Sequence, residues 1–155
     1  MINFRIISKI IGSLLFIEAL FMSICAALAF YYHEEDQIAF LLSLLITFGS
    51  GFLFLLLGRN SENSLSRKDA YLLVTATWII FSVFGMFPFL IHGSIPSLTD
   101  AFFETMSGFT TTGASIIDDV EVLPHAILFW RSLMQWIGGL GIVFFTAPST
   151  STAFS

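Results

Sequence analysis

Four apolar stretches constrain this chain more than any other feature. They run from about Ile6 to Tyr32, from Ile38 to Leu57, from Tyr71 to Ile91 and from Ala126 to Phe145. Crossing the hydrocarbon core of a bilayer takes ~20 mainly apolar residues. The first three stretches meet that length outright, and Arg131 and Gln135 interrupt the fourth. Only 11% of the residues are charged and 56% are hydrophobic, whereas a soluble domain carries about 25% charged residues. Nineteen Phe and three Trp exceed what a core in 155 residues can hold. Lipid is therefore the expected solvent, and the expected fold class is an all-α integral membrane protein. The net charge of −5 offers no basic patch for nucleic acid. Cys25, the single cysteine, lies in an apolar run, where it reads as a small packing residue.

A cleaved leader is the competing reading of the first stretch. Arg5 and Lys9 precede it, and Ala27-Leu28-Ala29 has the small-x-small form of a cleavage site. The run is longer than a signal peptide's apolar region, however, and ends in Phe30-Tyr31-Tyr32, which suits a membrane interface. It reads as a retained helix.

Basic residues then set the orientation. Arg5 and Lys9 lie before the first span, and Arg59, Arg67 and Lys68 lie between the second and third. Two crossings place both groups on one side, which the excess of Lys and Arg makes cytoplasmic. The other side receives His33-Glu34-Glu35-Asp36 and Asp118-Asp119-Val120-Glu121. The stretch from Pro96 to Val122 must then begin and end outside, dipping inward without crossing. It holds a short helix-like piece, Ser97 to Met106, followed by a Thr- and Gly-rich run. Non-helical backbone at membrane depth is tolerated only where protein buries it or water fills the cavity it lines.

The run in question is Phe102-Phe103-Glu104-Thr105-Met106-Ser107-Gly108-Phe109-Thr110-Thr111-Thr112-Gly113-Ala114-Ser115. A dehydrated potassium ion needs about six to eight oxygens in place of its water shell, and backbone carbonyls supply them without net charge. Aiming successive carbonyls one way takes unusual dihedrals, which glycine tolerates. Gly113 is the natural selectivity residue, with Thr110, Thr111 and Thr112 adding oxygens, and Gly108 would let the chain turn after the short helix. A polar Thr/Gly loop at the outer surface remains the plain alternative from these residues alone.

The order of elements (spanning helix, short helix, Gly-Phe-Thr-Thr-Thr-Gly, acidic exit, spanning helix) resembles the superfamily of potassium transporters that includes the Trk, Ktr and plant HKT proteins. The string Trp130-Arg131-Ser132-Leu133-Met134-Gln135-Trp136-Ile137-Gly138-Gly139-Leu140-Gly141-Ile142 is similar to that family's post-filter helix in its first repeat. Two leading helices point to the TrkH branch. The resemblance implies potassium uptake by passive conduction through a carbonyl-lined filter. Thr110, Thr111, Thr112 and Gly113 would form the filter, with potassium held by the Thr111, Thr112 and Gly113 carbonyls and rubidium or sodium as alternative ions. It implies no covalent cofactor and a multi-pass place in the bacterial inner membrane with the N-terminus cytoplasmic. The implied partners are lipid, further pore repeats or identical copies, and a cytoplasmic nucleotide-binding regulatory ring like TrkA.

Arg131 in a span costs ~2.5–3.5 kcal/mol and needs a partner. Glu104, or Asp100 one turn earlier, is the candidate, and pairing with Glu104 would brace the filter. Glu18, alone in mid-span, reads as a packing contact or a neutral acid, and the family places the leading helices away from the pore. Asp118, Asp119 and Glu121 would raise the local cation concentration or simply be solvated. Gly138, Gly139 and Gly141 suit close helix packing, and Pro88 after Gly85 should kink or end the third span. His92 and His125 stand near span ends with no cluster around them. No nucleophile–base pair or metal motif suggests an enzyme.

The expected organisation is two leading helices in 1–58, a cytoplasmic loop in 59–70, one pore repeat in 71–146 and an atypical tail in 147–155. Family members carry three further repeats, so a single-repeat portion of a longer transporter is expected. A non-conducting scaffold or truncated product is the alternative.

Overall fold

The computed structural model describes residues 2–59 and 66–151, apart from the side chains of Arg67 and of residues 142–151. Among the described residues the regular elements are all helices: α1 (Phe4–Tyr32), α2 (Gln37–Gly58), α3 (Arg67–Gly85), α4 (Phe87–His92), α5 (Leu98–Phe109) and α6 (His125–Ser151). This is the all-α membrane architecture that the apolar runs predict. α1, α2 and the α3–α4 pair are long and apolar enough to cross a membrane. Half of the loop expected at 59–70, residues 60–65, falls outside the described residues, and residues 67–70 of it belong to α3, which the Ser66–Asp69 capping box starts early. α6 runs as helix into the stretch expected as a tail.

Local chemistry sets the helix ends. The Asn3 side chain accepts the Ile6 amide to open α1, and a Ser66–Asp69 capping box opens α3. The third span breaks at Met86, between α3 and α4. Pro88 has no amide to give the Phe84 carbonyl and its ring crowds that carbonyl, so the ladder fails a turn before the proline.

α1 and α2 form an antiparallel hairpin. α2 largely reverses the pattern of a soluble helix: apart from Phe40 its buried residues are Ala39, Ser43, Thr47, Gly51 and Gly58, and its exposed ones include Leu45, Phe48, Phe52 and Leu57. Lipid tails are as apolar as leucine, so the large side chains gain nothing by turning inward. Small residues pack inward because they let backbones approach. A Cβ on Gly12 would lie 2.8 Å from the Gly51 carbonyl oxygen and the Leu55 amide nitrogen, and one on Gly58 would lie 2.6 Å from the Lys9 nitrogen.

The later helices pack on this hairpin at both ends and in the middle. At one end the Asn3 amide donates to Asp69 at 3.0 Å. At the other, Glu34 in the α1–α2 turn accepts from the His125 amide at 2.8 Å and meets the His125 ring nitrogen at 2.7 Å. Tyr32 stacks on His125 with ring centroids 4.3 Å apart. His125 and His92, expected near span ends, line one cleft of about 500 Å³ with Glu34, Glu35 and Glu121. In the middle, Glu18 is fully buried, with no hydrogen-bond partner among the described residues, and its Oε1 faces Gly85. The α1–α2 hairpin is thus packed against the helices that follow it.

The segment between α4 and α6 starts at His92 and returns to His125 at the same end. Between them α5 goes inward: Phe109 at its tip lies against Gly138, ~20 Å along α6 from His125 at 1.5 Å per residue. A 12-residue helix covers ~18 Å, so α5 reaches roughly the middle of a ~30 Å hydrocarbon layer and stops.

Two outcomes follow from this packing. Gly12→Leu should wedge α1 from α2 and cost about 1–3 kcal/mol. Gly49→Leu, at a position with nothing within 4 Å, should leave the melting temperature in detergent unchanged. The second concerns Asp36, whose wholly buried carboxylate has no hydrogen-bond partner among the described residues. Burial first and the Glu34 charge second raise its pKa above the ordinary Asp value. His92 and the nearby amides of Asp36 and Ile127 oppose this, without meeting hydrogen-bond geometry. A raised pKa means the folded chain holds the proton more tightly, so the contribution is full below the unfolded value of ~3.9 and is lost as pH rises through the folded value. Asp36→Asn should therefore melt higher than the parent chain at pH 7, with the gap closing toward pH 4.

Candidate functional site

α5 is built to enter the bundle with one face inward. Ser97 caps it by accepting the Asp100 amide, and Ala101, Glu104, Thr105, Ser107, Gly108 and Phe109 are buried. Phe109 is enclosed by the Phe81 and Trp130 rings, at centroid distances of 5.4 and 6.3 Å. The Trp130 indole also donates to the Gly85 carbonyl at 2.9 Å, occupying an acceptor at the α3–α4 break. Glycines let the α5 tip seat against α6: a Cβ on Gly138 would collide with the Phe109 carbonyl oxygen, and one on Gly108 would sit 3.2 Å from the Met134 Cβ.

Gly108 therefore differs from the turn residue expected. α5 continues past Met106 to Phe109, and Gly108 lies inside it as a packing glycine. The turn comes at Thr111, with φ of 57°, and at Gly113, with φ of 74°. An L-residue in the left-handed region costs roughly 1–2 kcal/mol, and a β-branched one is a genuine outlier there. At Gly113 the surrounding space is open, with nothing within 4 Å of a built Cβ. The demand for glycine at that position is one of dihedral angle.

From Thr111 to Ile116 the chain is exposed and has no regular ladder. Its polar groups bond back to α5 instead. The Ser107 carbonyl accepts the Thr112 amide at 3.0 Å and the Gly113 amide at 3.5 Å. The Ser107 hydroxyl donates to the Ala114 carbonyl at 2.6 Å. Thr110 and Thr112 hydroxyls meet at 2.9 Å. One turn back along α5, Glu104 takes the next residues: its Oε2 accepts the Ile116 amide at 3.1 Å, and the Ser115 hydroxyl lies 3.1 Å from both its oxygens.

Arg131 completes this arrangement. Its Nε and Nη2 donate to Glu104 Oε1 at 2.9 and 2.7 Å, and Nη2 also reaches the Ser115 hydroxyl at 3.1 Å. Glu104 is 4% exposed and the Arg131 side chain 19%. The arginine has its partner, and the partner is Glu104. Asp100, the other candidate, is exposed and lies a turn nearer the start of α5. Ser107 and Ser115 are the participants that sequence reasoning left without a role. Glu104 and Ser107 stand three residues apart, on one face of a helix, and that spacing was the available signal. Asp118, Asp119 and Glu121 are exposed beyond the loop, with Asp119 accepting the Glu121 amide at 3.0 Å.

Breaking the pair should be costly, because either single loss leaves a charge without its partner. Glu104→Gln and Arg131→Gln should each cost about 3–5 kcal/mol, and the double variant should lose far less than the sum of the two. Thermal unfolding of the four chains in one detergent measures this. Additive losses would mean that the two side chains act independently.

Comparison with known proteins places these features in a family. The family model for TrkH, a cation transport protein, matches residues 36–153. The chain is 37% identical over 142 residues to the Trk system potassium uptake protein TrkH of Halomonas elongata, covering 91% of this chain and 30% of that protein. It is 36% identical over 143 residues to the Escherichia coli protein of the same name, covering 91% of this chain and 29% of that protein. The crystal structure of the potassium transporter TrkH from Vibrio parahaemolyticus superposes with a TM-score of 0.88 at 35% identity, over 95% of this chain and 32% of that one. The chain thus spans about 30% of the length of the curated relatives it matches. With the family model covering most of its residues and the same helical architecture in a solved relative, this membrane protein belongs to the TrkH cation transport family.

Proposed function

We propose that this chain supplies one wall of a potassium-conducting pore, with Thr110, Thr111, Thr112 and Gly113 as its filter segment. The observation that carries this reading is the loop itself. An exposed, irregular backbone with two residues at positive φ stands at the mid-depth end of a half-length helix. Membrane proteins tolerate such backbone only where it is buried or lines a water-filled path. The relatives' names, potassium uptake proteins of the Trk system, supply the ion.

The chemistry is passive. Carbonyls of Thr111, Thr112 and Gly113 replace part of the ion's water shell. The C-terminal end of α5 carries roughly half a negative charge from its aligned peptide dipoles and lies directly under the loop, so it favours a cation there. Glu104 and Arg131 hold the far side of the loop as a neutral pair, and Gly108 lets α5 seat against α6. The drive is the membrane potential, ~2.3 kcal/mol per charge per 100 mV. In this reading residues 1–58 are the leading hairpin, 59–70 the cytoplasmic loop and 71–146 the pore repeat. The end bearing Lys9, Arg59 and Lys68 faces the cytoplasm of the inner membrane, where a nucleotide-binding ring would dock. One segment offers three carbonyls where an ion needs about six to eight oxygens, so further repeats or identical copies complete the ring.

The test is rubidium tracer uptake by liposomes holding this chain, with Gly113→Asp as the pair. Uptake by the parent chain and a fall of at least about tenfold in the variant, the effect of about 1.4 kcal/mol on a barrier, is the expected result. Equal uptake by both forms would sink the filter assignment. No uptake by either would mean that the segment works only beside other repeats.

A further inference from the structure

We infer that Ser107 is the positioning residue of the filter segment, selecting which carbonyls face the open side of the loop; this rests on the filter reading above. The peptide unit is planar and, throughout this chain, trans. The carbonyl of one residue therefore points opposite to the amide of the next. The Thr112 amide donates to the Ser107 carbonyl at 3.0 Å, which turns the Thr111 carbonyl away from α5. The Gly113 amide is drawn to the same oxygen at 3.5 Å, which turns the Thr112 carbonyl the same way. With the Thr111 amide donating to the Gly108 carbonyl at 3.0 Å and Thr111 at positive φ, the Thr112 bond closes α5 as a Schellman motif, and the Gly113 amide adds to the same oxygen.

The Ser107 hydroxyl ends the series. It donates to the Ala114 carbonyl at 2.6 Å and turns that oxygen back toward α5. Backbone and side chain of one residue thus direct two carbonyls outward and withdraw a third. Ser107 is itself 5% exposed and sits on the last turn of α5, which Phe109 and Gly138 fix in place. It is a rigid reference for a loop with no ladder of its own. Glu104 and Arg131 act farther along, at Ser115 and Ile116, so their contribution is separable.

Ser107→Ala keeps the carbonyl and removes the hydroxyl, and Ser107→Thr restores a hydroxyl. Amide hydrogen exchange of the full chain in lipid nanodiscs reads the loop whether or not the chain conducts. The parent chain should protect the Thr112 and Gly113 amides relative to those of Asp118 and Asp119. The acceptor of the Thr112 and Gly113 amides, the Ser107 carbonyl, remains in Ser107→Ala, but the hydroxyl's bond to the Ala114 carbonyl no longer closes the loop over them. The loop should then open more often and both amides exchange about fivefold faster, the effect of losing one ordinary hydrogen bond. Ser107→Thr should recover the protection, and amides of α1 and α2 should not change in either variant. Where the liposomes conduct, Ser107→Ala should also reduce the preference for rubidium over sodium. Unprotected Thr112 and Gly113 amides in the parent chain, or unaltered exchange in Ser107→Ala, would overturn the inference. So would an unaltered ion preference in conducting Ser107→Ala liposomes, and that result would leave the filter reading standing. Absence of conduction would fall on the claim that this chain transports by itself, and the exchange rates alone would then decide the role of Ser107.

Discussion

The Glu104 carboxylate joins three segments that share no regular hydrogen bonding. It stands on α5, accepts the Ile116 amide from the returning loop and pairs with Arg131 on α6. Each partner needs the others. A buried carboxylate without a cation is costly, an arginine in an apolar span without a carboxylate is costly, and a loop amide at that position has no ladder to join. One turn further along α5, Ser107 does for Thr112 to Ala114 what Glu104 does for the residues after them. α5 therefore acts as the template on which an irregular backbone is laid, and the exposed loop inherits its order from a buried helix face.

α5 can serve in this way because it is itself held from several sides. Phe109 fills a site made by Phe81, Trp130 and the bare backbone at Gly138. Gly85, the last residue of α3, admits the Phe109 ring, Thr105 and the Glu18 carboxylate to one small volume. The leading hairpin reaches this point through Glu18 and grips the first turn of α6 through Glu34, whose carboxylate takes an amide at the start of that helix. An anion suits that position, because the first amides of a helix have no intrahelical partners and carry the positive end of its dipole. Packing on α1 and α2 is consequently part of what holds the candidate pore elements.

Much of this could be read from the residues because lipid imposes strong rules. Runs such as Ile38 to Leu57, with no charge in 20 positions, have few structures open to them. Arg131 announced itself as an isolated cation in such a run, and only a few carboxylates stood near enough in sequence to serve it. Other features gave weaker signals. Pro88 marked a break in the third span, but the break falls at Met86, because a proline disturbs the ladder a turn before itself. Gly108 read as a turn residue because the helical pattern fades after Met106, yet Phe109 gains enough burial to carry the helix past it.

The sequence by itself determined that the chain lives in lipid, which stretches are long and apolar enough to cross, that a short helix and an irregular run separate the last two, and that Arg131 needs an acid. Composition, run length and the cost of a lone charge settle these matters without knowledge of neighbours. Only the tertiary structure decided that Glu104 rather than Asp100 is that acid. It also decided that Ser107 organises the loop and that His125 meets Glu34 from 91 residues away. Those outcomes depend on which helix faces meet and at what depth. Helix faces meet where small residues allow backbones to approach, and the partner that fills each gap is a property of the pair rather than of either strand of sequence.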